Sequence, residues 1–101
     1  MKLVIAAEAR RDLFSIGDYI ARDNPRRALS FVEELERHCL MIIDRPLAYP
    51  LVPRHEESGI RRAVHGRYNI FYTCTADAVQ ILHILNGAMN YEAALFGAAD
   101  S

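Results

Sequence analysis

"VHGRYNIFYTCTADAVQILHIL", Val64 to Leu85, decides the fold. Its residues are mostly β-branched, aromatic or aliphatic, and two short breaks, at Gly66-Arg67 and around Ala76-Asp77, divide it into extended runs. With "IRRAVH" on its N-terminal side, it predicts three consecutive strands: "IRRAVH", "YNIFYTCT" and "AVQILHILN". Connections this short join antiparallel neighbours, so the strands form a meander. The third strand is apolar on both faces, which places it inside a sheet with something covering each side.

Upstream, the period changes. "KLVIA" (Lys2 to Ala6) is a short strand-like run, and after it Ala9, Leu13, Ile16 and Ile20 recur at helical steps on one stripe. This first helix should end near Arg22 or Asp23, because Pro25 pushes the residue before it out of the helical region. Asn24 then caps a second helix with Pro25 at its first position, where the missing amide hydrogen costs nothing. Ala28, Phe31, Val32, Leu35, Cys39, Ile42 and Ile43 give that helix an apolar face, and it stops at Asp44 to Pro46. Pro46, Pro50, Pro53 and Gly59 mark the following stretch as a loop. A last short helix, Tyr91 to Phe96, ends at Gly97. The expected class is α+β: an N-terminal strand and a helical hairpin packed on one face of a small antiparallel sheet, in the order β-α-α-β-β-β plus a short C-terminal helix.

A chain of 101 residues is one domain, taken here as residues 1–101. Twelve basic against thirteen acidic side chains leave a net charge of -1, which argues against general or sequence-specific nucleic-acid binding. Cys39 and Cys74 show no metal spacing and no disulfide framework, and reduced thiols are expected. No segment is long enough to span a membrane, and "MKLVIAA" is too short for a secretory core, so a cytoplasmic protein is expected. No phosphate loop, nucleophile elbow or zinc pattern occurs, so neither cofactor nor metal is expected.

One basic cluster stands outside the helices: Arg61, Arg62 and Arg67 with His65, flanked by Tyr68 and Tyr72. Converging guanidinium groups would clamp a phosphate or a partner's carboxylates; alternating ones would be edge-strand charges that discourage aggregation. His83 has the intrinsic chemistry of a general acid or base, but no Asp, Glu or Cys stands near it in sequence, which favours a hydrogen-bonded structural residue. His38 reads as structural or exposed. The surplus of apolar side chains in the meander, continued by Met89 and Tyr91, exceeds what one helical hairpin covers and suggests a docking groove.

Three stretches together resemble the ParE branch of the RelE/ParE toxin superfamily: "EARRDLFSIGDYIARDNPRRALSFVEEL", "GIRRAVHGRYNIFY" and "VQILHILNGAMNYEAAL". The resemblance implies the toxin half of a type II toxin-antitoxin pair, of the kind once described as plasmid stabilisation proteins. Such a toxin inhibits DNA gyrase and is silenced when a ParD-like antitoxin wraps an extended, partly helical segment around it. On that basis Arg61, Arg62 and Arg67 would meet antitoxin carboxylates, and Ile70, Tyr72, Leu82, Ile84 and Met89 would line the groove. The RelE branch consists of ribosome-dependent mRNA endoribonucleases; Arg61, Arg67 and His83 would mimic part of such a site, but the strong basic array is missing. Many ParE relatives read His-Gly-Ala-Arg where this chain has Asn86-Gly87-Ala88-Met89, losing a positive charge. That departure leaves room for a decayed toxin that retains only antitoxin binding.

Overall fold

The computed structural model describes residues 1–97; residues 98–101, which the single-domain expectation included, lie outside the described residues. Strand β1 (Lys2–Ile5) leads into helix α1 (Ala7–Ala21) and helix α2 (Pro25–Asp44). After a loop with a 3-10 turn at Glu56–Ser58 come β2 (Arg61–His65), β3 (Tyr68–Cys74), β4 (Ala78–Asn86) and the short helix α3 (Tyr91–Phe96). The α+β class and the element order are as expected.

The turn between the helices forms for the reasons legible in sequence. Asn24 Oδ1 accepts from the Arg27 backbone N–H at 3.1 Å, and Pro25 opens the helix where its lack of an N–H is harmless. Each helix then buries a stripe against the sheet: Ala9, Leu13 and Ile16 from α1, and Leu35, Cys39 and Ile42 from α2.

The sheet order is β1-β4-β3-β2. β2, β3 and β4 form the expected antiparallel meander, and Gly66 in its first turn adopts a left-handed backbone (φ 58°) that disfavours residues with a Cβ. β1, whose pairing the sequence left open, joins this meander parallel to β4, Lys2 opposite Ala78 and Ile5 opposite Ile81. Parallel pairing is open to β1 because the two helices between it and the meander provide the long crossover that parallel neighbours require.

One irregularity governs the central strand. Phe71 pairs with His83 and Tyr72 with Ile81, so Leu82 is an extra residue with no partner. A one-residue bulge reverses the alternation beyond it. Val79, Ile81 and Ile84 consequently all join the cluster under the hairpin, with Ala63, Ile70 and Tyr72. Leu85 joins a second cluster on the opposite face with Val52, Ile60 and Phe71, packed by Leu82, Tyr91 and Leu95. Tyr91 of α3 stacks on Phe71 with ring centroids 5.2 Å apart, so the C-terminal helix covers part of this second face.

Replacing Asn24 removes the only side-chain cap at the start of α2. Asn24→Ala should lower unfolding stability by about 1 kcal/mol, and Asn24→Gly by only a few tenths, as read from denaturant midpoints at constant m; equal midpoints for the two variants would contradict a capping role.

Candidate functional site: an outer groove on the helical hairpin

The structure disperses the predicted basic cluster. Arg61 sits opposite Tyr72, and its Nη1 donates to the Tyr49 carbonyl at 2.6 Å, tying the loop after α2 to the sheet. Arg62, one residue on, turns to the other face, with its guanidinium 5.9 Å from the centre of the Tyr91 ring. Arg67 is exposed in the β2–β3 turn. Alternation along β2 thus sends neighbouring arginines to opposite faces, and no three-arginine clamp forms.

The apolar candidates divide similarly. Ile70, Tyr72 and Ile84 are 0%, 0% and 2% exposed, packed beneath the hairpin, and so cannot line a surface groove. The Tyr72 hydroxyl donates to the Pro46 carbonyl at 2.5 Å; burial pushes its pKa up to about 12, partly opposed by the nearby Arg61. Leu82 is half-buried in the second cluster, and Met89 stands exposed beyond β4.

His83 has a partner that sequence distance concealed. Its Nδ1 lies 2.8 Å from Asp12 Oδ2 on α1, and the same oxygen accepts from the Ile84 backbone N–H at 2.9 Å. β1 ends at Ile5, opposite Ile81, so this edge of β4 has no neighbouring strand at Ile84. Asp12 supplies the acceptor a longer β1 would have provided, and His83 is oriented by the same carboxylate. Arg61 and His83, two members of the nuclease-like set, are thereby engaged with separate elements of the fold. Among the described residues there is no group of three or more His, Cys, Asp or Glu placed to hold a metal ion.

A concave surface lies on the outside of the hairpin, which the sequence reading did not single out. A groove of about 550 Å³ runs between α1 and α2, floored by Leu13, Gly17, Ala28 and Val32. Phe14 and Leu29 line it and remain 75% and 66% exposed. Arg10, Asp18 and Glu36 supply charges of both signs around it. A Cβ on Gly17 would lie 3.4 Å from Val32 Cγ2, in ordinary van der Waals contact, so α1 and α2 run close together at this point of the groove. The available signal was Phe14 and Leu29 themselves: each follows a core-facing residue, Leu13 or Ala28, and so falls beside the buried stripe.

Around α1 from this groove lies a smaller recess of about 150 Å³ between the helix and the end of β4. Tyr19, Tyr68, Asn86 and Met89 line it, with Asp12 at its base. Tyr19 and Met89 are 66% and 52% exposed. Together the two depressions bring apolar surface to both flanks of α1.

Both depressions lie on a small α+β scaffold, and comparison with known proteins specifies its family. Residues 3–91 match the family described as ParE toxin of type II toxin-antitoxin system, parDE. The chain belongs to that family. A solved structure described as "Chromosomal ParDE TA system from P. aeruginosa" superposes with a TM-score of 0.72, covering 85% of this chain and 95% of that one. At 21% identity that likeness concerns the fold. A search of curated proteins found no match. No helix among the described residues is long and apolar enough to cross a membrane.

Removal of the shared acceptor should be costly. Asp12→Ala leaves the Ile84 N–H and the His83 ring without their partner, and about 1–3 kcal/mol of stability should be lost. Amide exchange at Ile84 should accelerate more than exchange at Val79, whose stretch of β4 is still flanked by β1; uniform acceleration would count against the local role.

Proposed function

We propose that this chain is a toxin held inactive by a ParD-like antitoxin segment seated in the α1–α2 groove, and that its target when released is DNA gyrase. Membership of the ParE family supports both halves of the proposal. The observation that carries the antitoxin half is the groove itself, with Phe14 and Leu29 exposed on a chain small enough that a patch of this kind is an association hazard. A depression between two antiparallel helices fits an amphipathic helix that inserts side chains at i, i+3/i+4 and i+7.

The recess on the other flank of α1 gives such a segment somewhere to continue. After crossing the hairpin, an extended stretch would meet Tyr19 and Met89. Exposed Arg67 and half-buried Arg62 are candidate partners for its carboxylates, and Leu82 contributes only its uncovered edge. Arg61 would act indirectly, by holding the loop at Tyr49 in place. Antitoxin binding of this sort masks apolar area and requires no covalent chemistry from the toxin.

The double variant Phe14→Asp/Leu29→Asp tests the site. Both side chains are exposed, so the fold should persist, with an unchanged circular dichroism spectrum and a similar Tm. Each buried anchor in an interface contributes about 2 kcal/mol or more, so affinity for the purified antitoxin should fall at least roughly 30-fold per anchor. Unaltered affinity would remove the groove from the proposal. The target is tested separately: wild-type chain added to gyrase and supercoiled plasmid should inhibit supercoiling and accumulate cleaved DNA. Transcript cleavage on translating ribosomes in place of that result would assign the nuclease activity instead. Neither activity, with antitoxin binding intact, would identify a toxin that has lost its action on the cell.

A further inference from the structure

Where α2 meets the β2–β3 hairpin, two imidazoles face each other. His38 Nδ1 on α2 lies 2.9 Å from His65 Nδ1 at the end of β2. Two ring nitrogens this close require one proton between them, since two lone pairs repel and so do two N–H bonds. The outer nitrogens define the sequence of donors. His38 Nε2 is 3.4 Å from the Tyr49 hydroxyl, and His65 Nε2 is 3.9 Å from Glu34 Oε1. With both rings neutral, the Tyr49 hydroxyl donates to His38, His38 Nδ1–H donates to His65, and His65 Nε2–H points at Glu34. With one proton added, the central bond reverses: His65 becomes the donor, and His38 Nε2–H turns to the Tyr49 oxygen. A second proton leaves an N–H on both facing nitrogens and no acceptor between them.

We propose that His38 and His65 form an acid-released latch, which accepts one proton with its contact intact and detaches the β2–β3 turn from α2 on taking a second. The charged and titratable groups facing the pair come from every element packed around it. Glu34 lies on α2 and is itself held by Arg27 at 2.7 Å, Tyr49 is on the loop, and Tyr68 is the cross-strand neighbour of His65. Arg61 stands further out, bonded to the Tyr49 carbonyl. Glu34 stands on the His65 side of the pair and the Tyr49 hydroxyl on the His38 side. Burial, and next the proximity of His65, hold the His38 pKa below its ordinary value.

The sign follows from that direction. A histidine whose proton affinity is lowered by folding contributes stability at pH values above its unfolded pKa of about 6.5, and that contribution is lost as pH falls through the folded value. What is released is a defined piece of structure. Phe31 of α2 packs edge-on against His65 and tilted against Tyr68, each with centroids 5.6 Å apart, and these contacts share the latch's position. Beyond them lies only the exposed turn carrying Gly66 and Arg67. Opening would thus release the tip of the meander from α2, with the turn still bonded to the end of β4 through the Gly87 N–H and the Arg67 carbonyl at 2.7 Å, and leave the bulged centre of β4 packed.

Imidazole nitrogen NMR on the full-length chain tests this directly. A scalar coupling between the His38 and His65 Nδ1 nuclei should be present near pH 7.5 and persist while the first proton is bound. At lower pH, protonation of His38 should abolish the coupling and speed amide exchange across Ala63–Tyr68 by about tenfold or more relative to Ile81, after correction for intrinsic exchange. His38→Phe should retain the fold and remove that pH-dependent step. Absence of the coupling at neutral pH, independent titration of the two rings, or the same pH-dependent exchange in His38→Phe would overturn the latch. Because each nucleus is followed individually, protonation at His55 or His83 is distinguished from protonation of the pair.

Discussion

Leu82, the unpaired residue in β4, is the constraint on which the rest of the structure depends. β4 is one of the two interior strands, and it supplies apolar side chains to two separate cores. Regular alternation from Ile81 would have carried His83 and Leu85 to the hairpin side and Ile84 away from it. The bulge instead delivers Ile84 to the core under the helices and Leu85 to the cluster capped by α3. It also falls just past the end of β1, where Ile84 has an N–H and no strand to receive it. Asp12 meets that requirement from α1, and in doing so adds a polar tie between the helical hairpin and the sheet.

The hairpin is consequently loaded on both sides. Its inner stripes are consumed by the sheet, with Leu35, Cys39 and Ile42 fully buried. Its outer side keeps Phe14 and Leu29 in water over a groove that no element of the described chain covers. This member of the ParE family thus divides its apolar side chains between a packed interior and an uncovered outer groove. Of the sheet's arginines, Arg61 fixes local structure by tying the loop after α2 to the sheet.

Much of the fold was legible because its determinants are local. Pro25 and Asn24 mark the helix junction by backbone chemistry that does not depend on the rest of the chain, and both act as expected. Gly66-Arg67 and Ala76-Asp77 divided the meander correctly for the same reason. The candidate site was legible only in part. Ile70, Tyr72 and Ile84 read as a groove because strand periodicity states that a face is apolar without stating whether a helix lies upon it. His83 looked solitary because Asp12 is 71 residues away, and His38 and His65 gave no sign of each other across 27.

By itself, then, the order of residues determined the elements, their boundaries, the antiparallel meander and the family, since these follow from periodicity, turn chemistry and motifs written within short windows. Tertiary structure alone decided that β1 runs parallel beside β4, that Leu82 bulges, that neighbouring arginines part to opposite faces, and that an uncovered apolar groove lies between the two helices. The reason is physical: pairing partners and exposure depend on which distant segment fills the space next to a residue, and that competition is settled only when the whole chain packs.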